Sequence, residues 1–385
     1  MRRSLTFFLL LMFAMIVGFA APTRAQIGKN VGIAAGSPED KALTEISSTA
    51  DAAKRLELIQ KFLTDFGNGD MAVVAYDQFV SYYLQQKDYD KVFEYGQKLF
   101  QVDPHNFANG VNLVRAAHEK GDTAKVFEYG EKVGAIVSWY KALAPPEGTR
   151  EVDWTDTKAR ALEQTKDNRT YVEQTLFVTA YGTQDPVARA GLLVRFANAF
   201  PDSSYANRAL DIAASSYQQA QDFSKMLEVA NGVLAKAPDS LGTLILLADY
   251  YSEKGEELDK AEGYARRALD VLGTAKRPDE TTEEQWQQQT SLQKGLALTS
   301  LGQLDFWRKK NVEAIENLKA AAPLLKANAL LYARNQYRMG FALLNLKRMA
   351  EAKTALSEAA AVDSPYKALA QETLKRIAAG PRRMP

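Results

Sequence analysis

Few side chains in this sequence could carry out catalytic or metal chemistry. Its 385 residues include no cysteine and two histidines, His105 and His118. Thiol catalysis, disulfides, iron–sulfur clusters and zinc–thiolate sites all need cysteine, and a site with three histidine ligands needs one more histidine. The sequence also lacks a phosphate-binding loop and the Gly-x-Ser-x-Gly motif of a nucleophile elbow. We therefore predict no metal, no cofactor and no enzyme activity.

Both histidines have ordinary structural explanations. His105 lies in the sequence Asp-Pro-His-Asn, which is typical of a turn whose polar side chains face water. His118 lies late in a segment with helical spacing, where contact with a ligand is one interpretation and a surface or packing role is the other.

One cluster of acids keeps an enzymatic alternative open. Residues 137–170 contain no histidine or cysteine but several carboxylates, which we interpret as solvated. An enzyme would use the rest of the chain as a platform for this segment. The acids are Glu147, Glu151, Asp153 and Asp156.

The N-terminus has the three-part pattern of a secretory signal peptide. Arg2 and Arg3 precede an apolar run from residue 5 to residue 21, and small residues then favour a cut between Ala25 and Gln26. The alternative is a retained anchor, because this run is at the short end of the ~17–25 residues that span a bilayer. We expect an exported protein, periplasmic or secreted, with a membrane-tethered form as the second possibility.

The charge of the chain argues against bulk binding to nucleic acid. The full sequence carries 48 basic and 47 acidic residues, a net charge of +1. Removal of residues 1–25 takes away three arginines and no acid, which leaves 45 basic and 47 acidic residues. A nucleic-acid surface needs an excess of positive charge, so none is expected here.

The rest of the sequence predicts helices that repeat along the chain. Apolar residues recur at spacings of three and four, and no segment alternates with a period of two. The octapeptide Lys91–Lys98 recurs as Lys125–Lys132, thirty-four residues later, with seven of eight residues identical. A fixed period of this length indicates stacked structural repeats.

This period and its spacing resemble the tetratricopeptide repeat (TPR) family, which pairs two antiparallel helices, A and B, in each repeat. Small or large apolar residues stand at the family's packing positions in repeats that start at residues 73, 107, 207, 241, 295 and 333, and more weakly at 170. In the weaker repeat, Arg189 stands where the family has a packing residue. The resemblance implies an all-α fold, a right-handed α-solenoid of antiparallel helix pairs with about six to seven repeats.

Glycine, proline and polar stretches suggest where the chain divides. Pro145-Pro146 must end a helix, and residues 155–180 then have the spacing of one long helix. The expected divisions are a signal peptide (1–25), a flexible leader (26–40), an N-terminal helical region (41–143) with two repeats at 73–140, an irregular connection and helix (144–169), repeats at 170–275, a polar connection (276–284), C-terminal repeats (285–380) and a tail (381–385).

The resemblance also implies a concave groove, lined by A helices, that holds a segment of a partner protein. Asp77/Ser81 and Asp211/Ser215 replace the Lys and Asn that chaperone-binding members use to clamp an acidic tail, so that mode is not expected. The groove positions carry mixed charges. They project onto Asp77, Ser81, Arg115, His118, Arg208, Asp211, Asp249, Arg334 and Tyr337.

These features together predict a non-catalytic interaction scaffold or adaptor of the bacterial cell envelope. Its partner would be a protein or peptide, and the chain would contact the membrane only through an uncleaved signal segment.

Overall fold

The computed structural model describes residues 27–279 and 281–379. Those residues form eighteen α-helices and no β-strand, which confirms the all-α prediction. The described chain divides into two compact units, with the boundary between residues 179 and 180. Within each unit, consecutive helices pack side by side as pairs, so each unit is an α-solenoid.

Unit 1 contains eight helices, the last of which ends two residues beyond the unit boundary. They are α1 (Pro38–Ser48), α2 (Ala52–Phe66), α3 (Met71–Gln86), α4 (Tyr89–Val102), α5 (Phe107–Lys120), α6 (Thr123–Ala142), α7 (Glu151–Gln164) and α8 (Lys166–Tyr181).

Unit 2 contains ten helices. They are α9 (Pro186–Ala199), α10 (Ala206–Gln219), α11 (Phe223–Lys236), α12 (Leu241–Lys254), α13 (Leu258–Thr274), α14 (Glu283–Trp307), α15 (Asn311–Leu325), α16 (Ala329–Asn345), α17 (Met349–Ala361) and α18 (Pro365–Ala379).

Aspartate side chains begin several of the second helices of the pairs. Asp88, Asp122 and Asp222 each accept a hydrogen bond from the backbone N–H three residues later, at the N-terminus of α4, α6 and α11. Such caps satisfy a backbone donor that has no partner inside the helix.

Helices of a pair approach closely at glycine positions. A Cβ added to Gly302 or to Gly340 would lie 2.6 or 2.7 Å from the leucine that follows sixteen residues later, Leu318 or Leu356. These are the same two motif positions in two repeats, and both leucines are fully buried. The same packing contact thus recurs in the next repeat, 38 residues later, as expected for TPR-like pairs.

Neighbouring pairs in unit 1 use a second glycine contact. Cβ atoms added to Gly96 and Gly130 would lie 2.6 Å from Leu113 and 2.4 Å from Leu176, respectively. Helix α8 therefore packs on α6 in the same way as α5 packs on α4. Helix α7, which lies between α6 and α8 in the chain, is not part of this stacking.

The single long helix expected over residues 155–180 is wrong, because the chain breaks it at Thr165. The Thr165 hydroxyl donates to the carbonyls of Ala161 and Leu162, and α8 begins at the next residue. Helix α7 is instead fixed to the end of α6, where the Trp154 indole donates to the Leu143 carbonyl at 2.9 Å.

The predicted leader contains a docked segment. Ile27 is 1% exposed, and its carbonyl accepts from the Phe107 N–H at 3.2 Å. Residues 28–36 contain no helix, in agreement with their glycine-rich and aperiodic sequence.

The glycine contacts predict the effect of adding one carbon. Gly340→Ala should lower the free energy of unfolding by about 1–3 kcal/mol, because the new Cβ would overlap the buried Leu356 side chain. Gly263→Ala is the matched control, since its Cβ meets nothing within 4 Å, and it should raise stability by roughly 0.5–1 kcal/mol. Urea denaturation of both variants measures this; equal effects would contradict the packing described.

Candidate functional site

A cavity of unit 2 lies beside α9 and α10. Its volume is about 510 Å³. Most of its lining residues have polar side chains, and they come mainly from α10 together with Arg189 of α9. The lining residues are Tyr181, Arg189, Arg208, Asp211, Ile212, Ser215, Ser216 and Gln219.

Arg189 is held in this wall by three hydrogen bonds. Its Nε donates to Ser216 Oγ at 2.9 Å, one terminal nitrogen donates to Gln219 Oε1 at 2.6 Å, and the other donates to the Thr183 carbonyl at 3.3 Å. This contact joins α9 to α10 by polar bonds where other repeats use apolar packing. In the sequence, Arg189 is a charged residue at a position where the TPR family has a packing residue, and this departure could have marked it as a site residue. The projection of groove positions did not include it.

Asp211 forms the acidic part of the same wall. Its Oδ1 accepts hydrogen bonds from Ser240 Oγ at 2.8 Å and Thr243 Oγ1 at 2.5 Å, both at the start of α12. Burial raises the pKa of Asp211, while the two hydroxyl donors oppose that shift. The carboxylate is therefore fixed in position by the next repeat. The structure places Arg208 and Asp211, both predicted groove residues, in one cavity.

Two other predicted groove residues pair with each other. Arg334 of α16 contacts Asp249 of α12 through both terminal nitrogens, at 3.0 Å and 2.9 Å. Both side chains are largely buried, with 12% and 17% exposure. Glu253, one turn along α12, lies 3.5 Å from Arg334 and also pairs with Arg338. Burial lowers the pKa of Arg338, and so does the nearby charge of Arg334.

A smaller, aromatic pocket adjoins this ion-pair cluster. Its volume is about 190 Å³, and it is lined by Gln303, Phe306, Tyr337, Arg338 and Phe341. The ring of Tyr337 packs edge-on against Phe341, with centroids 4.9 Å apart. Its other neighbour is Tyr366 of α18, at 5.6 Å. Tyr337 therefore lies in a pocket of α14 and α16, as a groove residue would.

The predicted groove residues of unit 1 lie on α3 and α5. Asp77 is half-buried and has no hydrogen bond or ion pair among the described residues, and burial raises the pKa of its carboxyl group. Ser81 is half-buried one turn later. Arg115 is exposed, with its guanidinium carbon 5.5 Å from the centroid of the Tyr171 ring, and His118 is exposed near the end of α5.

The turn residue His105 packs on a neighbouring aromatic ring instead of facing water. His105 stacks on Trp139, with ring centroids 3.5 Å apart. Within residues 27–279 and 281–379, no three His, Cys, Asp or Glu side chains are grouped so that they could hold a metal ion. Ala25 and Gln26, the predicted cleavage residues, lie outside the described part of the chain. None of the described helices combines the length and hydrophobicity needed to cross a membrane.

Comparison with known proteins gives matches in structure. No protein-family model matches the chain, and no curated protein sequence matches it. Among solved structures, a chain of the APC/C hetero-tetramer Cut9–Hcn1 is 13% identical, with a TM-score of 0.39, over 88% of this chain and 62% of that one. This chain thus spans less than two thirds of the length of that protein.

Two further solved structures match a similar share of this chain. Yeast Tom70 is 13% identical, with a TM-score of 0.30, over 89% of this chain and 95% of that one. NprR, solved in complex with its cognate peptide NprX, is 14% identical, with a TM-score of 0.32, over 90% and 88% of the two chains.

The isolated carboxylate of Asp77 predicts a pH effect on stability. Because its folded pKa is raised, the folded chain binds more protons than the unfolded chain between the two pKa values, so wild-type stability falls as the pH rises through that window. Asp77→Asn should therefore be more stable than wild type at neutral pH. The difference should vanish below the unfolded pKa of about 3.9.

Urea denaturation at neutral pH and near pH 3 measures this effect. The control is Asp156→Asn, which changes an exposed aspartate of the same unit and should leave stability unchanged at both pH values. A less stable Asp77→Asn protein at neutral pH would show that the carboxylate has a stabilising partner.

The buried pair between α12 and α16 predicts a large loss on truncation. Asp249→Ala should lower the stability of unit 2 by about 3 kcal/mol, because Arg334 stays buried with only the more distant Glu253 beside it. Glu256→Ala removes an exposed acid just after the same helix and should change stability by no more than about 0.5 kcal/mol. Guanidinium denaturation compares the two; equal small losses would mean that the pair is solvated.

Proposed function

We propose that this protein is a non-catalytic interaction scaffold, or adaptor, that binds an extended segment of a partner protein on the A face of unit 2. The A face is the surface formed by α10, α12, α14 and α16. The observation that carries the proposal is the polar cavity at one part of this face, with Arg189, Arg208 and Asp211 in its wall.

The chemistry of the cavity favours a peptide over a small apolar ligand. A peptide backbone offers both N–H donors and C=O acceptors, and the wall offers acceptors on Asp211 and donors on its arginines and serines. The aromatic pocket on α14 and α16 accepts an apolar side chain. A segment with a polar part and a large apolar side chain would use both.

The central part of the A face offers a partner fewer unpaired charges than its sequence suggests. Asp249 and Arg334 neutralise each other, and Glu253 pairs with both Arg334 and Arg338. A partner that displaced these pairs would leave buried charges without counter-ions, which is costly. The proposed segment therefore passes over this cluster and makes its polar contacts at the α9–α10 cavity.

We place the protein in the bacterial cell envelope, exported to the periplasm or secreted, with a membrane-tethered form as the alternative. Support comes from the signal-like N-terminus, with its apolar run and the small residues before Gln26. The mature charge, with 45 basic and 47 acidic residues, means that local contacts rather than bulk charge select the partner.

The platform-enzyme alternative loses support from the setting of its acids. Glu147, Glu151, Asp153 and Asp156 are all exposed, and Asp153 is paired with Arg150 at 2.6 Å. All four acids are therefore solvated side chains rather than groups enclosed in a site.

A photo-crosslinking amino acid at Ser215 tests the proposal in cells of the source organism. Ser215 is exposed in the cavity wall, and its hydroxyl bonds only to the Asp211 carbonyl of its own helix, so its replacement breaks no contact between helices. Ser224, exposed on α11, is the matched control position. We expect a protein adduct from position 215 and none from position 224.

A second change shows whether the adduct depends on the cavity. Arg208→Glu reverses an exposed charge in the wall and should lower the yield of the adduct about tenfold, equivalent to ~1.4 kcal/mol of binding. Equal labelling from positions 215 and 224, or adducts that contain only lipid or glycan, would contradict the proposed function.

A further inference from the structure

The aromatic pocket of unit 2 contains a buried amide that makes no hydrogen bond. The pocket lies between α14 and α16, and Gln303 of α14 forms part of its wall. Gln303 is 8% exposed, and its side chain has no hydrogen-bond partner in the described part of the chain. A side-chain amide can donate two hydrogen bonds and accept two, and a buried polar group without partners destabilises the chain. The wall therefore includes a donor and an acceptor that a ligand can satisfy.

The rest of the wall is mainly aromatic. Phe306 of α14 and Tyr337 and Phe341 of α16 line the pocket, and all three side chains are half-buried. The Tyr337 and Phe341 rings are 4.9 Å apart and inclined at 61°. Another ring can pack against such a pair at centroid distances of about 4.5–7 Å. The volume of about 190 Å³ is below the ~300–1,000 Å³ of pockets for drug-sized ligands, so the pocket suits one side chain.

The second polar residue of the wall, Arg338, also has an unpaired donor. One of its terminal nitrogens pairs with Glu253, while the other, Nη1, has no hydrogen-bond partner among the described residues. Arg338 is 8% exposed.

The charges around Arg338 already balance. Arg338 pairs with Glu253, and Arg334 pairs with Asp249. A carboxylate or phosphate in the pocket would add a negative charge without a counter-ion to a largely buried cluster, which is costly. A neutral group that accepts hydrogen bonds keeps the balance. The pocket therefore favours an uncharged polar group over an anion.

We infer that this pocket binds a tyrosine side chain of the partner segment. The ring would pack among the three aromatic side chains, and the phenol hydroxyl would both accept from and donate to the Gln303 amide. A phenylalanine would cover this amide without bonding to it, which leaves a buried polar group unpaired. A tryptophan offers a donor but no acceptor. The inference rests on the proposed function and names the large side chain that the partner contributes at α14 and α16.

Three capped amino acids, titrated into the purified chain, test this specificity. They are N-acetyl-tyrosinamide, N-acetyl-phenylalaninamide and N-acetyl-4-carboxyphenylalaninamide, which differ only at the end of the ring. Ligand-observed NMR measures the Kd of each. The tyrosine compound should bind at least about tenfold more tightly than the phenylalanine compound, and the carboxylate compound should bind more weakly than the tyrosine compound.

Two substitutions assign the preference to the pocket. Gln303→Leu removes the amide at similar size, so this variant should bind the tyrosine and phenylalanine compounds equally. Gln289→Leu is the matched control, because it changes an exposed glutamine of the same helix, and it should keep the wild-type preference. Phe341→Leu takes a ring from the wall and should weaken the binding of both compounds. Circular dichroism checks that each variant is folded.

Three results would overturn the inference. They are equal binding of the tyrosine and phenylalanine compounds by the wild-type chain, tightest binding of the carboxylate compound, and no binding of any of the three. Each of them leaves the proposed function intact if position 215 still captures a protein. A tyrosine preference without an adduct at position 215 would have the opposite meaning, because the pocket would then be a side-chain site on a face that binds no partner.

Discussion

The close approach of helices at glycine is the contact on which the rest of the structure depends. Gly302 and Gly340 each leave room for a buried leucine of the paired helix, and Gly96 and Gly130 do so between pairs. Interiors are packed too densely to absorb an extra carbon at such points. Because these contacts set how each helix is rotated, they also decide which side chains face the A face and which enter the core.

The sequence predicted the helix pairs because the repeated residues are the packing residues themselves. It could not predict features that depend on one tertiary contact. The docking of Ile27 depends on a turn more than seventy residues away. The role of Arg189 needs Ser216 and Gln219 of the next helix. Periodicity carries no information about such single contacts.

The candidate site was predictable as a surface but not as a set of contacts. Projection of the repeat register placed Arg208 and Asp211 on α10, and the structure places both in one cavity. The same projection named Asp249 and Arg334 but could not show that they pair with each other across eighty-five residues. Groups that pair in this way stabilise the solenoid, and which of them pair depends on contacts between distant repeats.

The central claim is that a partner segment lies on the A face of unit 2. Hydrogen–deuterium exchange of the purified chain, with and without the protein captured at position 215, tests it most directly. The account predicts slower exchange on binding in α10 and in the first turns of α12, where Ser240 and Thr243 hold Asp211. Protection confined to α11 and α13, with α10 unchanged, would contradict it.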